Sequence, residues 1–178
     1  SDVCSSDLFV AHYVSASRGA VAVYEPDGKL KWTISIADAT MPSRLLDVAV
    51  TDDGLRVTDP GALETGRIRV YGFDRAFRYA WGMYDDSGDL SKLGTCCNPV
   101  RLAALSDGRI VTCEKGSQTL IKVYQKDAPG DPGRIESVVD ELRDRDGLRM
   151  DLAVDGAGRI YLLDGAAAAV HVYERENG

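Results

Sequence analysis

Apolar and polar residues alternate along this chain in runs of four to five, punctuated by turn residues, and the runs recur. Val21-Ala22-Val23-Tyr24, Ile68-Arg69-Val70-Tyr71, Ile121-Lys122-Val123-Tyr124 and Val170-His171-Val172-Tyr173 are copies of one pattern, with tyrosines 47, 53 and 49 residues apart. Alternating β-branched positions closed by an aromatic residue predict a half-buried strand. A second unit precedes three of the copies: Asp47 to Gly54, Arg101 to Gly108 and Asp151 to Gly158, each closed by a glycine seven positions after a charged opener. The Asp-Gly and Ala-Gly pairs are turn chemistry, because glycine supplies the positive φ of tight hairpins. A short strand follows each turn (Leu55–Thr58, Arg109–Thr112, Arg159–Leu162), and a fourth follows the tyrosine, as in Leu30–Ile34 and Phe77–Trp81.

Four short antiparallel strands repeated at this spacing predict an all-β protein built of β-propeller blades. About four blades are expected, at 9–36, 42–86, 97–139 and 147–178, the first without its innermost strand and the last without its outer one. The only stretch compatible with a helical turn is Asp140–Arg143. Residues 1–8 interrupt the pattern and carry no signal-peptide character. They read as a non-native leader, which leaves the compartment open, a periplasmic or extracellular one included.

The turn, the aliphatic strand after it and the Val-x-Val-Tyr strand resemble NHL repeats, fully over 42–86, 97–139 and 147–173 and in part over 9–36. With Cys96-Cys97-Asn98-Pro99, Asp107 to Thr112 and Glu114-Lys115-Gly116, the chain is similar to a bacterial subset of six-bladed propellers. The resemblance implies a six-bladed ring, completed by further blades of the same propeller or by self-association through open edges. It speaks for fold and hardly for function.

Composition narrows the partners. A net charge of −7 argues against nucleic acid, which requires a basic face. No apolar run approaches the roughly 20 residues of a membrane span. Four cysteines and two histidines show no zinc-ligand spacing. Asp85, Asp86 and Asp89 in the Gly82–Thr95 connection lack the closing glutamate of an EF-hand, so this stretch reads as a solvated loop or a lid.

Strand order places candidate chemistry on one rim, where innermost strands begin and second strands end. There fall Asn98, Arg101, Glu114 and Lys115, with His12, Asp59 and Asp164 at the matching exits of the other blades. The plain alternative for Asp59 and Asp164 is bonding to turn amides. Asp47, Arg101 and Asp151 share the mouth of the central channel, where two acids and a base neutralise one another. Ala22, Arg69, Lys122 and His171 share a position read as tolerant and outward. The opposite face carries short turns at Asp27-Gly28, Asp52 to Gly54 and Asp107-Gly108, expected to offer no pocket. Trp32 and Trp81 are expected between blades. Cys96 and Cys97 admit three readings: buried thiols, a vicinal disulfide, or thiolate ligands joined by Cys113.

The function expected is a binding or scaffold module whose rim takes a protein, peptide or small-molecule ligand, with Glu114 in contact with it and no cofactor. The alternative is a metal-assisted hydrolase or lyase of the six-bladed lactonase or amidating-lyase kind. There Glu114, Asp59, Asp164 and His12 would ligate a divalent ion.

Overall fold

The computed structural model describes residues 6–15, 18–36, 46–59, 68–85, 89, 91–94, 98–115, 118–125, 135–143 and 149–174. Alternating apolar residues and glycine turns fold this chain into an all-β structure of small antiparallel sheets. The first sheet is β1 (Leu8–Ser15), β2 (Arg18–Tyr24) and β3 (Leu30–Ile36). The second runs β4 (Val48–Thr51), β5 (Gly54–Thr58), β6 (Ile68–Tyr71) and β7 (Phe77–Trp81). After β8 (Tyr84–Asp85) and β9 (Leu93–Gly94), the third runs β10 (Arg101–Ala104), β11 (Ile110–Glu114), β12 (Gln118–Tyr124) and β13 (Ile135–Arg143). The fourth is β14 (Met150–Val154), β15 (Ile160–Asp164) and β16 (Ala169–Tyr173).

One register aligns all four sheets. The repeated tyrosines Tyr24, Tyr71, Tyr124 and Tyr173 face Leu8, Leu55, Ile110 and Ile160 across the ladder. Thus β1 is equivalent to the second strand of the other sheets, and β4, β10 and β14 are equivalent first strands.

Because strand side chains alternate, each sheet has two faces, and the seams between sheets hold the core. Val21, Val23, Ile34 and Ile36 pack on Leu55, Val57 and Tyr71 in the first seam. Ala49, Ile68, Val70 and Trp81 meet Leu102, Ile110 and Tyr124 in the second. Val111, Cys113, Ile121 and Val123 meet Met150, Ile160 and Leu162 in the third. Trp81 is buried edge-to-face on Tyr124 at 5.4 Å, and Trp32 packs partly buried in the first seam, so both tryptophans lie between sheets as expected.

Two expectations change. Asp140–Arg143 is not a helical turn but the end of β13, where Thr119 pairs with Leu142 and Gln118 with Arg143. The Gly82–Thr95 connection contains a parallel pairing of β8 with β9, and Leu93 is buried in the second seam. β1 opens at Leu8, and beside it Asp7 forms a 3.1 Å ion pair with Lys31 of β3.

Turn geometry supplies a test. Gly54 has φ 151°, and a Cβ there would lie 2.0 Å from the Tyr71 carbonyl oxygen, whereas Gly158 (φ 81°) faces open space. Gly158→Ala should cost about 1–2 kcal/mol, the left-handed penalty alone. Gly54→Ala should cost distinctly more, through strain and a backbone clash together. Urea unfolding of both variants reads the difference; equal losses would contradict this packing.

Candidate functional site

The shared register puts His12, Asp59, Glu114 and Asp164 at one position, four residues beyond the residue facing each tyrosine. Two residues before the tyrosines stand Ala22, Arg69, Lys122 and His171, which lie on the same face. The structure joins the two columns: Asp59 pairs with Arg69, Glu114 with Lys122 at 2.9 Å, and Asp164 faces His171 at 3.6 Å. All three acids are buried. The second column is therefore not tolerant and outward; Lys122 is buried outright because the neighbouring sheet covers it. Parity places each pair on the side of the preceding sheet. In the first sheet the position is filled by exposed His12 and by Ala22, with no acid and no cation to pair.

Glu114 is bonded through both carboxylate oxygens. One oxygen accepts from Lys122 Nζ (2.9 Å) and the Gly94 amide (3.1 Å), the other from the Tyr124 hydroxyl (3.0 Å) and Thr112 (3.1 Å). Lys122 in turn donates to the Lys92 carbonyl at 2.7 Å. Burial and the Glu114 charge push the Tyr124 hydroxyl well above its ordinary range. Asn98, also buried, accepts from the Lys115 amide (2.8 Å) and donates to the carbonyls of Lys115 and Gly94. Glu114 and Asn98 are thus internal clamps that tie the 91–94 segment to the end of β11. Asp164 accepts from the amides of Ala166 and Ala167, the turn-bonding role weighed for it from sequence.

The first-strand trio behaves differently. Asp47 accepts from its neighbour's amide, Val48, and from the Leu102 amide of the next sheet at 2.9 Å, so it satisfies the open edge of β10. Burial raises its carboxyl above the usual range, against the pull of those amides and of Arg101. Arg101 lies 3.4 Å from Asp151, whose side chain is 69% exposed. Arg101 and Asp151 thus keep both charges within reach of solvent.

Cys113 is buried on the opposite face of β11 from Glu114, its sulfur 3.9 Å from that of Met150. Burial, reinforced by Glu114, pushes its thiol up to about 12. Cys96 and Cys97, and with them the disulfide and thiolate-ligand readings, lie outside the described residues. Among the described residues, no cluster of three His, Cys, Asp or Glu side chains is placed to hold a metal ion.

Two clefts stand out among the described residues. One of about 500 Å³ opens in the first seam beside Arg69, Tyr71, Arg75 and Phe77. The other, about 390 Å³, lies between the Asp52-Asp53 and Asp107-Gly108 turns over Arg56. That face was expected to offer no pocket; the gap between adjacent turns, rather than any single turn, creates one.

Fold and site together define an all-β chain of small antiparallel sheets with an acid–base pair repeated in the seams. No protein-family model matches the chain, and a search of curated proteins gives no match. No helix among the described residues is long and apolar enough to cross a membrane.

The buried pair should show strong coupling. Lys122→Met strands the Glu114 charge and should cost about 3–5 kcal/mol. Adding Glu114→Gln removes that charge, so the double variant should lose less than the sum of the singles in urea unfolding; additive losses would show that the two groups do not interact. Cys113 should resist iodoacetamide in the folded protein at pH 8 and react fully in guanidinium, since the thiolate is the nucleophile. Peptide mass mapping checks this, and rapid labelling of folded protein would refute the burial.

Proposed function

We propose that the chain is an arc of blade-like units of an NHL-type β-propeller and works as a binding module. Its ligand site is the rim cluster of Arg101, Asp151 and Asp47, with Lys115 and His12 on the same rim. The observation that carries this reading is the division between two sets of charges. The acids at the second-strand ends are engaged inside the seams, whereas Arg101 and Asp151 hold an ion pair open to water. A guanidinium beside an exposed carboxylate matches a ligand that offers an acceptor and a donor together, as the ends of a short peptide do.

The metal-dependent hydrolase reading fits the residues less well. A divalent ion at Glu114 would have to displace the Lys122 ammonium and three further donors, and Asp59 is engaged by Arg69. Replacing such a saturated buried network is costly.

Thermal-shift titration with free dipeptides, and separately with Ca²⁺, Mg²⁺ and Zn²⁺, separates the two. A dipeptide should raise Tm, and Arg101→Ala should abolish that rise while leaving the ligand-free Tm nearly unchanged. A rise with a metal ion alone, or dipeptide binding that survives Arg101→Ala, would overturn the proposal.

A further inference from the structure

The first seam lacks a side chain that fills the second. Ile34 faces Val21 in the first sheet and Trp81 faces Ile68 in the second, so the shared register makes Ile34 and Trp81 equivalent. In the second seam the Trp81 ring is buried edge-to-face on Tyr124. In the first seam the smaller Ile34 shares the core with Tyr71, the equivalent of Tyr124. An aliphatic side chain thus stands where the next seam has an indole, and the cleft of about 500 Å³ opens there, lined by Ile34, Tyr71 and the 54% exposed Phe77.

The turn beside this cleft carries strain. Gly28 and Arg75 hold the same place in equivalent turns: the Gly28 amide donates to the Glu25 carbonyl and the Arg75 amide to the Gly72 carbonyl. Asp27 and Asp74 each accept from the amide two residues on. Both turns are left-handed at this position, with φ 86° at Gly28 and 70° at Arg75. Glycine adopts that conformation freely, whereas arginine is strained in it. Strain of this kind is concentrated at ligand clamps and active sites. Among the described residues the Arg75 guanidinium has no hydrogen-bond or ion-pair partner; neighbouring Asp74 is bonded to Arg78 instead. Among them, too, no carboxylate lines the cleft, and Arg69 within it is engaged with Asp59. Arg75 therefore brings an uncompensated positive charge to the cleft of a chain whose net charge is −7.

We propose that this cleft binds a small aromatic carboxylate, its ring lying against Tyr71 and Phe77 as Trp81 lies against Tyr124, and its carboxylate held by Arg75. Tyr71 and Phe77 are themselves edge-to-face at 5.7 Å, an arrangement that a third ring extends. A guanidinium takes a carboxylate through two parallel hydrogen bonds. A neutral ring would leave the Arg75 charge unanswered, and an aliphatic acid would lose the ring contact. The cleft has the volume usual for a small-molecule site. This inference stands apart from the rim cluster at Arg101 and holds whatever binds there.

Amide chemical-shift titration with indole-3-carboxylate tests it. The amides of Ile34, Tyr71, Arg75 and Phe77 should shift together and saturate. Indole-3-carboxamide, which lacks the charge, and cyclohexanecarboxylate, which lacks the ring, should each bind about tenfold more weakly or worse. Arg75→Gly should weaken indole-3-carboxylate binding by a similar factor and yet raise the urea midpoint, because it removes the left-handed strain. A residue with a purely structural role would not move the two in opposite directions. Ile34→Trp should fill the cleft and block binding with an unchanged circular dichroism spectrum; Ile34→Phe repeats the test if tryptophan disrupts the fold. Lys29→Ala removes an exposed positive charge from the equivalent turn of the first sheet and should leave binding unchanged. Absence of these shifts, equal binding of the carboxamide, or undiminished binding in the filled cleft would overturn the proposal. So would Arg75→Gly with retained affinity or a lowered urea midpoint, or an equal loss of binding in Lys29→Ala.

Discussion

The buried charge of Glu114 constrains much of the molecule around it. A carboxylate taken out of water demands a cation and hydrogen bonds for its lone pairs. Lys122 supplies the cation, but the three remaining donors come from two places: Tyr124 and Thr112 on the third sheet, and the Gly94 amide of the β9 segment. That demand draws the 91–94 segment down onto the end of β11, where the Asn98 amide group then locks it to Lys115. Leu93 is buried as a result, and the second seam gains a residue from a connection that belongs to no main sheet.

The same position in successive sheets solves the same problem with graded chemistry. Arg69 answers Asp59 while partly open to solvent, Lys122 answers Glu114 in full burial, and His171 faces Asp164 while stacked on Tyr173. A buried pair of this kind contributes little net stability compared with apolar packing, because desolvation offsets attraction. What it contributes is selectivity of alignment. A one-residue slip of β12 on β11 would turn Lys122 to the far face and leave Glu114 charged and uncompensated. The aliphatic contacts alone would penalise that slip less, since both faces of these strands are apolar.

That two-faced burial also explains what could and could not be read from the sequence. The strands, their order and the equivalence of His12, Asp59, Glu114 and Asp164 were legible, because they follow from alternation and from the repeated tyrosine. The partner column was misread. In a sheet with one solvated face, positions of opposite parity to the apolar ones point to water. Here a sheet covers each side, so Lys122 is as buried as Val123 is. A signal was present: wherever the first column holds an acid, the second holds a cation or histidine, and where it holds His12 the second holds Ala22. The β8–β9 pairing had no such signal, since two-residue strands carry no periodicity and Leu93 is buried by a bond network formed far away in sequence.

Position seven before the turn glycine shows how one structural need admits different chemistry. First strands β4, β10 and β14 are edges of their sheets, and an edge leaves backbone donors without ladder partners. Asp47 bonds to the Val48 amide and reaches across to that of Leu102, and Asp151 bonds to the Leu152 amide. Arg101, a donor itself, cannot serve an amide in this way. The Leu102 amide beside it is served instead by Asp47 of the preceding sheet, and the guanidinium is left to bond the Val100 carbonyl and approach Asp151. Aspartate in place of Arg101 would put three carboxylates at neighbouring strand mouths with no cation between them. Arginine there reduces three negative charges to a net negative charge of one, and because Asp47 has taken over the backbone duty, it keeps a charged side chain available beside Asp151.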